Sequence, residues 1–337
     1  MKALHFSFII PVYNRPEEIK ELLESFTKLE GGFDYEIVIV EDGSTRSSKV
    51  MVDGFSKGLD IAYYFKKNSG PGDSRNFGMR LAKGDYFIIL DSDCVLPKNY
   101  LNSVNGHLTK DFVDCFGGPD TAHESFTNLQ KAINFAMTSF ISTGGIRGGQ
   151  QSLSKFQPRS FNMGLSKVAF EASGGFGIIH PGEDPDLSIR LHKLGFKTKF
   201  INEAFVYHKR RISWSKFLKQ VYKFGMVRPI LNSWHPETNR LTYWFPSFFS
   251  LGLIMAALFF VFGYYGFLMV YGLYFLVAFI LAFRASKNIS VAFQSMVAIF
   301  VQFIGYGYGF LSSTFAIKVL GKNPEKQFPN LFFKHVN

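Results

Sequence analysis

The run Lys83 to Cys94 is apolar and ends on two carboxylates, Asp91 and Asp93, separated by one residue. In an extended chain alternate side chains share a face, so both would point to one side. Oxygen ligands with open positions suit a hard divalent cation that also holds a diphosphate. By itself the pair is equally an ordinary turn or helix cap at a strand end. A second acidic group, Glu183-Asp184-Pro185-Asp186, puts three carboxylates in four positions ahead of an apolar-periodic stretch, Leu187 to Leu194. Like charges this close raise one another's pKa, which suits a carboxylate that takes a proton from a hydroxyl. The plainer reading is a helix start, with Asp186 as its cap. Asp42 ends the β-branched run from Tyr35 and precedes Gly-Ser-Thr45. There it suits a nucleotide base N–H or ribose hydroxyls, or a simple Asp-Gly turn.

The elements that must carry these residues alternate. Phe6 to Asn14 reads as a buried first strand, and Arg15-Pro-Glu-Glu18 opens a helix with proline near its first turn and acids at its positive end. Tyr35 to Val40 is a second strand. Asn68 to Asn76 reads as a glycine-bearing turn capping a helix from Phe77 to Lys83, whose start near Arg75 and Asn76 would offer backbone N–H groups to a diphosphate. The Asp91-Ser-Asp93 strand follows. This is a doubly wound α/β pattern, which places its ligands at the carboxyl ends of the strands.

Five segments in order, Ile10 to Asn14, Val40 to Ser44, Ser74 to Gly78, Gly84 to Asp93 and Gly182 to Leu191, together resemble the family 2 glycosyltransferases of the GT-A fold. The resemblance implies a nucleotide-diphosphate sugar donor, UDP- or GDP-linked, and a divalent cation, Mn²⁺ or Mg²⁺. It assigns the metal to Asp93 foremost, with Asp91 as partner and His208 near the metal or diphosphate. It also implies a nucleotide role for Asp42 and donor contacts near Arg75 and Asn76. Asn162, in Arg159 to Gly164, falls in the acceptor-side framework, as does Gly174-Gly-Phe-Gly177; as sequence, both read as tight turns. The catalytic base falls in the Glu183-Asp184 pair, with Asp184 chosen and Glu183 shaping the site. Gln220 to Phe224 only partly resembles the Gln-x-x-Arg-Trp motif of processive synthases, and Gly144 to Gln151 reads as an acceptor-side lid.

Composition changes near residue 240. From Leu241 to Phe283 there are 43 residues without Asp, Glu, Lys, Arg or His, enough for two membrane spans around a turn at Gly263 to Gly266. A third uncharged run, Ile289 to Ile317, carries two glutamines and a glycine-rich stretch. Before these spans, seven basic residues lie between Lys209 and Arg228, and Trp214, Phe217, Leu218, Val221 and Gly225 form a helical stripe, an interfacial pattern that accounts for part of the +11 net charge. No nucleic-acid recognition module accompanies it. The expected organisation is a catalytic domain over 1–207, an interfacial segment over 208–240, an all-α membrane region over 241–317 and a basic tail over 318–337. The apolar stretch at the N-terminus reads as a strand rather than a signal, and Cys94 and Cys115 form no metal or disulfide pattern. The catalytic domain is therefore expected at the cytosolic face of the inner membrane. Three full spans would leave Lys318, Lys322, Lys326 and Lys334 on the opposite side, against the positive-inside tendency. The expected activity is an inverting, metal-dependent transfer to a glycan or lipid-linked acceptor hydroxyl in polysaccharide biosynthesis. The alternatives are a polyprenyl-phosphate sugar transferase and a non-catalytic scaffold of a polysaccharide assembly complex.

Overall fold

The computed structural model describes residues 4–121, 126–144, 156–208 and 213–333. The strands are β1 (Phe6–Val12), β2 (Tyr35–Asp42), β3 (Ile61–Lys66), β4 (Tyr86–Leu90), β5 (Cys94–Val95), β6 (Cys115–Gly117), β7 (Asp120–Thr121), β8 (Asn162–Ser166), β9 (Thr198–Phe200) and β10 (Val206–His208). Seven form one sheet in the order β3-β2-β1-β4-β8-β6-β9, and β5, β10 and β7 form a smaller one. Strands β1 to β4 are parallel neighbours, and β8 runs antiparallel to both β4 and β6. Helices of the same unit are α1 (Pro16–Phe26), α2 (Lys49–Asp53), α3 (Pro71–Leu81) and α4 (Tyr100–Lys110).

Both faces of β1 and β4 are covered, as their nearly continuous apolar runs require. Phe6, Phe8, Ile10, Ile88 and Leu90 pack on one side with α1 and α4; Ile9, Phe87 and Ile89 pack on the other with Met79 of α3. The doubly wound order sends β1, β2 and β4 toward one carboxyl edge, where the functional loops emerge.

Three local expectations are corrected. Helix α3 starts at Pro71, six residues before Phe77, because Gly70 takes a left-handed turn (φ 93°) and Pro71 supplies a preset first helical residue. Arg75 and Asn76 thus project from the helix interior. Asp91 to Asp93 do not continue β4; the chain turns, with the Cys94 N–H donating to the Asp91 carbonyl at 3.1 Å, because β5 must reverse to pair with β10. The two carboxylates therefore part instead of sharing one strand face. Asn162 to Gly164 lies inside β8 rather than in a turn, whereas Gly174 and Gly175 do turn, at φ 71° and 74°.

The chain divides into two compact units: 1–123, 153–209 and 332–337 in one, and 124–152 with 210–331 in the other. The expected boundaries differ from this in the excursion 124–152. In it α5 (Asn128–Thr138) is held by a capping box of Thr127 and Gln130 and is followed by α6 (Phe140–Thr143). Ile133, Ala136 and Met137 join the apolar cluster of the helical unit. The first unit continues with α7 (Lys167–Ser173) and α8 (Glu183–Lys193), and the second with α9 (Trp214–Trp234), α10 (Phe245–Val261), α11 (Gly266–Ser286) and α12 (Ile289–Thr314). Three helical stretches, Leu241–Val261, Gly266–Ser286 and Ile289–Val319, are long and apolar enough to cross a membrane. Phe217 and Val221 of the α9 stripe are buried while Leu218 is exposed. Lys209, Arg210 and Arg211, and residues 145–151 of the expected lid, lie outside the described residues. After the helical unit the chain returns to the first unit, where Phe332 bridges Ile179 and the Phe333 N–H donates to the Ile178 carbonyl at 2.9 Å.

Candidate active site

At the carboxyl edge of β1 and β2 two loops are locked together by side chains. Asn14, at φ 54°, accepts from the N–H groups of Thr45 and Arg46 at 2.8 and 2.9 Å, and its own N–H donates to Ser44. Asp42 is 3% exposed, and its carboxylate accepts from Lys66 Nζ and the Ser69 N–H on one oxygen and from Asn68 and the Gly70 N–H on the other. It therefore shapes the turn into α3. Gly70 cannot carry a side chain there, since a Cβ would meet both a left-handed backbone and the Phe333 ring.

Beyond β4 the turn holds Asp93 between a guanidinium and an imidazole. Arg15, from the loop after β1, donates to one oxygen, and His208 Nε2 lies 3.2 Å from the other. Burial alone would raise the Asp93 carboxyl, but His208 and Arg15 outweigh it and hold it well below the usual carboxylate range. His208 is carried by β10 and stacked on Phe161 at 4.9 Å. Asp93, Cys94 and His208 bring ligand atoms within 4.8 Å of one another. Cys94 points its thiol at the Phe161 carbonyl and is buried, which leaves one carboxylate and one imidazole as the accessible donors. That carboxylate and imidazole suit Mn²⁺ or Mg²⁺ with positions left for water and phosphate oxygens, while Asp91 lies outside the group and pairs with Arg75.

Arg75 joins this turn to the second acidic group. Its two terminal nitrogens reach Asp91 at 2.7 Å and Glu183 at 3.2 Å, and the guanidinium lies 5.2 Å from the Phe176 ring centroid. The three acids Asp91, Glu183 and Asp184 hold it protonated, above its ordinary pKa and against its burial. Glu183 also meets His180 Nδ1 at 2.8 Å. Burial works to raise its carboxyl, yet His180 and Arg75 bring it down to about 2. Asp184 makes no ion pair within 4 Å among the described residues. Burial first, and the Glu183 charge second, push it up to about 6, against Arg75, Arg159 and a hydrogen bond with Ser160. Its Oδ1 is buried without a hydrogen-bond partner among the described residues.

Asp186 does not cap the helix. It sits inside the first turn of α8, where it binds Arg190, and Arg190 in turn donates to the carbonyls of Ser173 and Gly175. Asn76 clamps Phe176, accepting from its N–H and donating to its carbonyl, both at 2.8 Å. Asn162, fully buried, accepts from the Tyr100 hydroxyl and donates to the Ala204 carbonyl. The structure therefore brings Arg75, Asp91 and Glu183 into one ion-paired group with Asp184 next to Glu183 in sequence, brings Asp93, Arg15 and His208 into another, and places Asp42, Asn76 and Asn162 as buried braces. Arg15 and His180 were not singled out in the sequence. Arg15 sits in the loop of the Asn14 motif, but its partner lies 78 positions away, and no periodicity encodes that pairing.

The fold is the GT-A fold. Mannosyltransferase PcManGT from Pyrobaculum calidifontis, solved in complex with GDP-Man and Mn²⁺, aligns with a TM-score of 0.51 at 13% identity, covering 97% of this chain and 79% of its own. Residues 7–180, more than half of the 337, match the family model described as glycosyl transferase family 2, and the chain belongs to that family. An uncharacterized glycosyltransferase of Rickettsia felis is 40% identical over 93 residues, 28% of this chain and 15% of the relative. Abequosyltransferase RfbV of Salmonella typhimurium is 37% identical over 106 residues, covering 30% and 32%. Chondroitin synthase of Escherichia coli is 25% identical over 238 residues, covering 60% and 34%. The chain thus spans between 15% and 34% of the length of these relatives.

Proposed function

We propose that this chain is a membrane-anchored, inverting, metal-dependent glycosyltransferase that moves one sugar from a UDP- or GDP-linked donor to a hydroxyl of a glycan or lipid-linked acceptor at the cytosolic membrane face. The observation that carries the reading is the split inside the Glu183-Asp184 pair. Glu183 is neutralised by His180 and Arg75, while Asp184 keeps a buried, unpartnered oxygen and a pKa of about 6. A carboxylate in that state is a competent proton acceptor near neutral pH.

Asp93 and His208, with Asp91, are the residues that would hold a divalent cation, whose role is to neutralise the leaving diphosphate as a Lewis acid. This chain's residues supply the rest. Asp42 and Asn14 hold the loops that frame the nucleotide. Arg75 pairs with both Asp91 and Glu183 and so ties the turn after β4 to the start of α8. Asp184 takes the acceptor proton as the hydroxyl attacks. A polyprenyl-phosphate acceptor would need no base, so the polarised Asp184 speaks for a hydroxyl acceptor. PcManGT, which shares the fold, carries GDP-Man and Mn²⁺, ligands of the class proposed for this chain.

The test is a screen of purified full-length protein in detergent against UDP- and GDP-sugars, scored by nucleotide release. Release with one donor, dependent on Mn²⁺ or Mg²⁺, is the expected result. No release or binding with any nucleotide sugar would favour the scaffold reading.

A further inference from the structure

The helical unit contains chemistry that the transfer site does not use. Arg228 of α9 lies over the Tyr243 ring, 4.4 Å from its centroid, and its Nη1 is buried with no hydrogen-bond partner among the described residues. A buried, unpaired guanidinium N–H is costly and uncommon in a folded protein. It is not the sole orphan. The hydroxyls of Ser313 and Thr314 and the Oδ1 of Asn232 are buried without partners as well. Helical Ser and Thr commonly satisfy themselves on a carbonyl one turn back, as Ser295 does on Val291 at 2.7 Å. Ser313 and Thr314 make no such bond.

Packing brings these groups to one level. Helices α9 and α12 run side by side in the same direction through glycines: a Cβ at Gly225 would strike the Tyr306 carbonyl, and one at Gly309 would strike the Tyr222 carbonyl. One to two turns onward along both helices come Arg228 and Asn232 on α9 and Ser313 and Thr314 on α12. Trp244 packs on Phe310 at 5.0 Å, which brings the Tyr243 segment to the same end. Immediately after Thr314 the α-helix gives way to a π-turn, Phe315–Val319, a distortion found mostly at functional sites.

A guanidinium with two hydroxyls is a donor set for phosphate oxygens. The neighbours indicate what the phosphate is attached to. Leu241, Phe245 and Phe248, flanking Tyr243, are 78%, 50% and 56% exposed, an apolar surface next to the donors. We propose that Arg228, Ser313 and Thr314 bind the phosphate headgroup of a long-chain lipid whose tail lies along these aromatic side chains. Resting on the function proposed above, this assigns the acceptor to the lipid-linked class.

The test is binding, independent of turnover. Full-length protein in a neutral detergent is titrated with farnesyl phosphate, farnesol and inorganic phosphate, with tryptophan fluorescence as the readout. Farnesyl phosphate should bind, and Arg228→Gln should weaken it by about tenfold or more, the size of one lost charge-assisted hydrogen bond. Exposed Lys219→Gln should change nothing. If Arg228→Gln does not fold, Ser313→Ala and Arg228→Lys replace it, with a smaller weakening expected from each. Equal binding of farnesol, or unchanged affinity in the Arg228 and Ser313 variants, overturns the site. Inorganic phosphate binding as tightly as farnesyl phosphate overturns the lipid assignment. Nucleotide release without farnesyl phosphate binding sinks this proposal alone, and binding without any nucleotide release sinks the transferase reading alone.

Discussion

Two pairs of carboxylates sit in the α/β unit and are treated differently. In the turn after β4, Asp91 and Asp93 each have a guanidinium, from Arg75 and Arg15, and Asp93 has His208 in addition. At the start of α8 the direct contacts fall to one member: Glu183 meets His180 and Arg75, while for Asp184 burial and the Glu183 charge outweigh the more distant Arg75 and Arg159 and a hydrogen bond with Ser160. Residue type is nearly the same in the two pairs. Which oxygen receives a cation decides whether a carboxylate stays ionised as a ligand or becomes a proton acceptor near neutrality.

The contrast can be broken at either pair. Removing the divalent cation with EDTA, or making Asp93→Asn, should abolish transfer in a protein that remains folded, with Mn²⁺ or Mg²⁺ restoring the chelated enzyme; undiminished turnover in chelator removes the metal from Asp93. Asp184→Asn should lower transfer by about 10²–10⁴-fold while donor affinity holds, since the group lost acts on the acceptor proton. Glu183→Gln should be milder, and the reverse ranking would put the base on Glu183. Arg75→Met leaves Asp91 and Glu183 without their shared cation, which should cost about 3–5 kcal/mol, seen as a lowered unfolding temperature. A variant as stable as the wild type would mean that Arg75 does not couple the two pairs. The smallest effect is in pH. Asp184 acts only when ionised, so transfer should fall about tenfold per unit as pH drops below about 6 and level off above it. Glu183, at about 2, stays ionised throughout that range, and a profile flat from pH 5 to 8 would contradict the assignment.

Much of the α/β unit was legible because buried parallel strands appear as nearly continuous apolar runs, as Tyr86 to Leu90 does and as Phe6 to Val12 does apart from Ser7. The start of α3 was hidden by Gly70-Pro71-Gly72, which looks like a turn although proline at the first helical position is a start signal. The excursion through α5 carried a readable sign, Thr127 with Gln130 three residues on, the spacing of a capping box. The acids of the site could be named from motif spacing. Their different surroundings could not, because these depend on Arg15, Arg75, His180 and His208, which the fold brings to them.

The bridge between Ile179 and Phe332 has a consequence for how the chain is threaded through a bilayer. The α/β unit includes residues on both sides of the three apolar helices in sequence. On the membrane-anchored reading proposed above, a path that leaves a compartment and comes back to it crosses the barrier an even number of times, which two complete crossings satisfy and three do not. The stretch that ends at Val319 is the natural one to fall short. It is 39% covered by protein over its apolar window, against 22% and 11% for the other two, and it carries the glycine face packed on α9. On that threading Lys318, Lys322 and Lys326 would share a compartment with the α/β unit, which agrees with the positive-inside tendency if that unit faces the cytosol as proposed. An impermeant thiol reagent should reach cysteines placed at exposed Lys57 and Lys322 from the same face, and labelling from opposite faces would contradict this threading.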